Sequence, residues 1–216
     1  MKYILGNWKA NKNFTEMKQW IYTFQREYQA NENVTLGIFP PLIFLSYAQG
    51  KLKDCKNVCV GAQTLSSFEK GSYTGEVTAT TLKGVVNYSI IGHSERRKTF
   101  GETEEQLAEK VKQALAHDIT PIYCVRDEKD SIPTGVTFVA YEPVAAIGTG
   151  QNEPAEQTVA MKKKMNLPKD CVFIYGGSVN EKNASEYFAT GEIDGFLIGK
   201  ASLDPMQFIA IAKAAK

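Results

Sequence analysis

Short, nearly unbroken apolar runs recur along the chain, separated by stretches in which apolar residues return every three or four positions. The runs are Tyr3–Asn7, Thr35–Phe39, Val58–Ala62, Tyr88–Gly92, Thr120–Cys124, Thr137–Glu142, Val172–Gly176 and Gly195–Gly199. They do not alternate cleanly with polar residues, which predicts strands buried on both faces of a parallel sheet. Phe14, Met17, Ile21, Phe24 and Tyr28 fall on one face of a helix. Thr103 followed by Glu104 and Glu105 predicts an N-cap with an acidic first turn. That helix runs to about His117, a residue suited to the negative end of the helix dipole. Asp204-Pro205 predicts the start of the last helix, with Pro at the first helical position. Eight strands with helices between them predict a single (β/α)8 barrel domain over residues 1–216, with a doubly wound open sheet as the alternative.

One crossover breaks the rhythm. Only residues 125–136 separate Cys124 from Thr137, enough to cross between parallel strands but hardly enough to include a helix. The helix between strands five and six is therefore expected to be missing or reduced to a turn. The stretch Gln151 to Asp170 is also short, so the following helix is expected to be trimmed. With 216 residues the chain falls short of the roughly 250 usual for this fold. The expected consequence is an uncovered flank, with Val125, Ile132, Val136 and Phe138 either covering it or exposed on it.

Charge narrows the function. The chain carries 25 basic and 24 acidic side chains, which argues against a general nucleic-acid binder or docking on an anionic membrane. No apolar run approaches the ~18 residues of a membrane span, and residues 1–12 do not resemble a signal peptide, so a cytoplasmic location is expected. Cys55 and Cys59 have the spacing of a metal half-site, but there are only two histidines, and Cys124 and Cys171 stand alone. The thiols read as incidental and no metal is expected.

Barrel enzymes place their chemistry at the C-terminal ends of strands. Those ends read Gly6-Asn7-Trp8-Lys9, Gly92-His93-Ser94-Glu95 and Tyr141-Glu142-Pro143. Glycine-rich loops follow strands six, seven and eight, at Gly148-Thr149-Gly150, Gly176-Gly177-Ser178 and Gly199-Lys200. Such loops let backbone N–H groups approach a phosphate.

These segments, with Ala10-Asn11, Ile90-Ile91, Arg96-Arg97, Phe100-Gly101-Glu102-Thr103 and Val144, resemble the triosephosphate isomerase family, in the family's order from residue 3 to the C-terminus. The resemblance implies a cofactor-free interconversion of dihydroxyacetone phosphate and glyceraldehyde 3-phosphate. The family is itself the standard example of a carboxylate base paired with a neutral histidine and of a loop closing over substrate. The chemistry agrees with the residues. Moving a carbonyl between adjacent carbons needs a base for a carbon-bound proton, and Glu142 fits. It also needs donors for an enediolate: His93, Lys9 and Asn7 fit, with Asn7 equally suited to a structural role. Glu95 would orient Lys9 or carry protons, or simply form a salt bridge. Phosphate would lie on backbone N–H groups around Gly148, Ser178, Gly199 and Lys200. The resemblance further implies a homodimer through the loop Gln63–Glu76, with Thr74 approaching the partner's site.

The chain departs from the family in places. Ala145 stands where the family has Trp, and Arg126-Asp127 where it has Gly-Glu. These two positions interact during loop closure in the family, so the change reads as coupled, and slower turnover is expected. Lys200 replaces a glycine. Two other readings compete: another phosphate-binding barrel such as a phosphoribosyl isomerase, and a degenerate barrel that binds a phosphorylated metabolite without turning it over.

Overall fold

The computed structural model describes residues 1–143 and 152–215. Eight strands form a closed parallel barrel: β1 (Lys2–Asn7), β2 (Val34–Phe39), β3 (Val58–Ala62), β4 (Tyr88–Ile91), β5 (Thr120–Val125), β6 (Phe138–Tyr141), β7 (Val172–Tyr175) and β8 (Gly195–Ile198). β8 pairs with β1, Leu197 opposite Leu5, so the open-sheet alternative is excluded. Outside lie α1 (Phe14–Glu27), α2 (Leu45–Leu52), α3 (Ala79–Leu82), α4 (Ser94–Phe100), α5 (Glu104–Ala116), α6 (Ala155–Lys164), α7 (Ala184–Ala189) and α8 (Pro205–Lys213).

Local signals account for these helices. Asn13 and Glu16 close a capping box on α1, as Thr103 and Gln106 do on α5. Asp204 caps α8 ahead of Pro205, and His117 ends α5. The buried face of α1 is Met17, Trp20, Ile21 and Phe24. Phe14 leaves the expected stripe and packs edge-on against Tyr47 instead, 5.2 Å between ring centres.

The two-residue period of the strands sorts side chains between two cores. Leu5, Phe39, Ile90, Ile122, Cys124, Phe138, Ala140, Ile174 and Leu197 fill the barrel. Their neighbours Ile4, Ile91, Tyr123, Val139, Tyr141 and Phe173 face the helices. Extending the inward set by one step brings Asn7, Gly92, Glu142, Gly176 and Gly199 to the C-terminal mouth. Gly61 makes room for the interior: a Cβ there would meet the Phe39 ring at 2.1 Å.

The connection from β5 to β6 has no helix, as expected, and α6 has ten residues. The flank is not bare, however. Asp130 accepts from the Arg126 backbone N (2.7 Å), Nε (2.9 Å) and Nη2 (2.5 Å), folding the segment into a strap. Ile132 packs on the outer core, and Val125 and Val136 are buried. Gly135, at φ +89°, lies so close to Leu115 that a Cβ would meet its Cδ1 at 2.7 Å. The expectation for Phe138 was wrong. It starts β6 on the inward side and packs between Tyr3 (4.9 Å) and Tyr88 (6.0 Å) inside the barrel, because residues 138, 140 and 142 share one face.

Candidate active site

The mouth of the barrel gathers most of the residues singled out from sequence. A cavity of about 600 Å³ is lined by Asn7, Lys9, His93, Ser178, Gly199 and Lys200, among others. Gly148 and Ala145 lie outside the described residues.

Glu142 is almost wholly buried at 1% exposure, yet both carboxylate oxygens are satisfied. Oε2 accepts from the Ser94 backbone N–H at 2.8 Å, and Oε1 lies 2.9 Å from His93 Nε2. Burial alone would raise its pKa. Hydrogen bonds from the His93 ring and from Ser94 oppose burial and hold it below the ordinary carboxylate value. Cys124, inward on the neighbouring strand, feels the same carboxylate; its own burial first, and then Glu142, push its thiol well up. Gly176 leaves the space Glu142 needs, since a Cβ there would meet Glu142 Cγ at 2.9 Å.

The bonding of His93 defines its tautomer. His93 is the N-cap of α4, and its Nδ1 accepts from the Glu95 backbone N–H at 3.2 Å. A nitrogen that accepts carries no proton, so the ring is neutral with its proton on Nε2, aimed at Glu142. The sharp turn that delivers it depends on Gly92, at φ +75° with Arg97 packed against it.

Lys9 holds a left-handed backbone (φ 52°), uncommon for a residue with a side chain. Its N–H donates to Asn7 Oδ1 at 3.1 Å, and its carbonyl accepts from Gln63 Nε2 at 2.9 Å. The ammonium bonds Glu95 Oε1 at 2.5 Å. Asn7 thus holds the Lys9 turn, and Glu95 holds the Lys9 head. A side chain at Gly199 would find only Lys9 Cε at 3.7 Å, so crowding does not demand glycine there. Lys200 opens a 3₁₀ turn (Lys200–Leu203) at the rim and is exposed.

Sequence reasoning missed Gln63 as a brace, the Ser94 N–H as a carboxylate donor and Gly176 as a spacer. Gln63 lay in a loop read only for its outer reach. The other two act through backbone placement, which no side-chain pattern reveals.

Beside this cavity is a second of about 460 Å³, which shares Asn7, Lys9 and His93 and extends past Leu42, Leu65 and Phe100. Leu42 and Phe100 are exposed there. The loop 63–76 stands next to it with Thr74 exposed and the Phe68 and Tyr73 rings stacked 3.8 Å apart. No helix among the described residues is long and apolar enough to cross a membrane.

A family model described as triosephosphate isomerase matches residues 2–215. The chain is 39% identical to the triosephosphate isomerase of Mesomycoplasma hyopneumoniae (strain 7448), with 96% of each chain covered. It is 36% identical to that of Aquifex aeolicus (strain VF5), covering 97% of this chain and 98% of the relative. With that of Coxiella burnetii (strain Dugway 5J108-111) the identity is 34%, covering 97% and 95%. The first alignment runs over 236 positions against 216 residues here, so at least 20 positions are gaps in this chain.

Proposed function

The chain belongs to the triosephosphate isomerase family, and from that premise we propose how its own residues carry out the isomerisation and which of them hold the phosphate. Glu142 is the base. It takes a proton from carbon 1 of dihydroxyacetone phosphate, and the electron pair moves into a carbon–carbon double bond as negative charge builds on the carbonyl oxygen. The same proton inventory then returns to carbon 2, while a proton passes from one oxygen to the other. Nothing is oxidised or reduced overall, so the reaction calls for no cofactor.

The observation that carries this reading is the buried Glu142 carboxylate bridging His93 Nε2 and the Ser94 N–H, with His93 and Lys9 lining one cavity. His93 and Glu142 are 2.9 Å apart, so a substrate can react between them only if that bond opens. Each group then exchanges its partner for substrate: the carboxylate for a carbon-bound proton, the Nε2–H for an oxygen. A neutral donor suits this role because it stabilises the enediolate without handing over a proton too early. Lys9 supplies positive charge to the same oxygen, held in direction by Glu95 and at its base by Asn7 and Gln63. The phosphate rests near Ser178, Gly199 and Lys200, with Gly148 contributing from its loop. The Lys200 ammonium, at the rim, adds attraction as the dianion approaches.

The second cavity, ending in exposed Leu42 and Phe100, supports a homodimer in which the loop Gln63–Glu76 of each chain enters its partner and brings Thr74 toward the site. Light scattering at assay concentration tests it; a fully active monomer would sink it. The expected location is cytoplasmic.

The deciding experiment follows glyceraldehyde 3-phosphate isomerisation and solvent-deuterium exchange at carbon 1 by the pure protein beside E142Q. Both should vanish in the variant. Phosphate-ligand binding without exchange in the wild type would favour a binder over an enzyme.

A further inference from the structure

The end of the connection from β6 to α6 is bound unusually tightly, at Glu153. Its backbone N–H donates to Tyr175 Oη at 2.9 Å, and its carbonyl accepts from the Tyr187 hydroxyl at 2.5 Å. Its carboxylate accepts from Tyr141 Oη on one oxygen and Thr158 Oγ1 on the other, each at 3.2 Å. All four partners are buried, and they come from β6, β7, α7 and α6. The three tyrosine rings pack in series, with centres 6.4 Å apart for Tyr141 and Tyr175 and 4.7 Å for Tyr175 and Tyr187. Gly177 makes this possible, since a Cβ there would meet Tyr175 Oη at 2.1 Å.

The backbone bonds to Tyr175 and Tyr187 suffice to anchor the chain before α6. The carboxylate is not needed to cap α6 either; the N-cap is Pro154, which offers no side-chain bond. Instead the carboxylate reaches back to Tyr141, the residue immediately before Glu142. Tyr141 faces the helices and Glu142 the barrel mouth, on opposite sides of one backbone. That backbone is pinned on each flank, by Glu142 N to Val125 O (2.8 Å) and by Gly176 N to Tyr141 O (2.7 Å). Fixing the phenol therefore leaves the peptide that carries Glu142 little freedom to twist.

We propose that Glu153 is a positioning residue: through the Tyr141 phenol it fixes the backbone from which the Glu142 carboxylate projects, and it joins the two ends of the β6–α6 connection. The proposal rests on Glu142 being the base. Removing the carboxylate loosens the aim of the base rather than its chemistry, so kcat should suffer more than KM. A small misplacement of a reacting group is enough for a loss of about tenfold.

The test is a double-variant cycle of E153A and Y141F, with E153Q and E142Q alongside, reading kcat, KM and Tm. E153A and Y141F should each lower kcat about tenfold with a smaller change in KM. The double variant should be no worse than either alone, and E153Q, whose amide oxygen still accepts from the phenol, should recover most of the loss. Wild-type kcat in E153A, or losses that multiply in the double variant, would overturn the proposal. Y141F removes a single oxygen atom and carries the test if E153A does not fold. An active E142Q would remove the underlying reading; an inactive E142Q beside a fully active E153A would remove only the role of Glu153.

Discussion

Two neighbouring crossovers solve the same problem with very different amounts of chain. Between β4 and β5 lie two helices and a dense set of ion pairs. Arg96 and Lys110 converge on the half-buried Glu102, and Arg97 pairs with Glu104 while donating to the Gly92 carbonyl. Between β5 and β6 there is no helix, only the strap closed by Arg126 and Asp130. The two are not independent. Arg97 crosses to the Tyr123 hydroxyl and the Cys124 carbonyl, each at 3.2 Å, and Glu104 approaches Arg126 at 4.0 Å. The richer connection thus lends polar cover to the poorer one. What this teaches is that the reacting groups depend on strand ends and inward alternation, whereas the outer layer need only keep water from the outward apolar side chains. Glu142 follows the helix-free crossover and His93 precedes the helix-rich one, yet they meet at 2.9 Å.

The largest expected effect falls on chemistry and should leave this contrast intact. E142Q should lower kcat by about 10³-fold, within the range for loss of a general base, with a well-defined melting transition retained. A value within tenfold of wild type would mean that the mouth does not work as described. Next comes the helix-rich side. E102A leaves the Lys110 ammonium buried without its carboxylate, and breaking such a pair costs about 3–5 kcal/mol. For a chain of this size that is roughly 2–4 °C of Tm per kcal/mol. On the helix-free side the strap should matter less: D130A should cost about 1–3 kcal/mol, because it frees a backbone N–H and a partly exposed guanidinium. If D130A proved the more damaging of the two in thermal melts, the strap rather than the helix layer would be the mainstay of this side of the barrel.

The smallest effect is in pH dependence. Burial raises Glu142, Glu102 and Asp130, but in each the bonded cations or N–H donors outweigh it, leaving all three below their ordinary values. A carboxylate depressed in the folded state stabilises the fold fully above its unfolded pKa, about 4. That contribution is lost as pH falls through the lower folded value. Stability should therefore start to fall as pH drops through the ordinary carboxylate range and keep falling below it, and D130N should unfold with a shallower acid dependence than wild type. The acid limb of kcat/KM should likewise lie below about 4.3, the ordinary Glu value. A limb near neutrality would assign it to a different group.

Much of this was legible in the residues. The strand order, the missing helix, the caps at Thr103 and Asp204 and the placement of Asn7, Lys9, His93 and Glu142 at strand ends all follow from local rules, which act over a few residues. The sequence leaves open whether the flank around Val136 is covered or exposed, because covering a surface is a matter between distant segments. Nothing in residues 126–137 announces that Asp130 will bond Arg126 or that Leu115 will lie against Gly135. Phe138 was misplaced for a simpler reason: an unbroken apolar run does not say which of two buried faces each side chain takes.

The sequence by itself determined the periodicities, and with them the barrel and the set of residues carried to its mouth. Only the tertiary structure decided how those residues are bonded. Whether Nδ1 of His93 accepts, which N–H groups hold the Glu142 carboxylate and where Glu153 reaches all depend on distances between atoms from different strands. Closing the barrel sets those distances, because strand register, twist and the packing of both cores must be satisfied together.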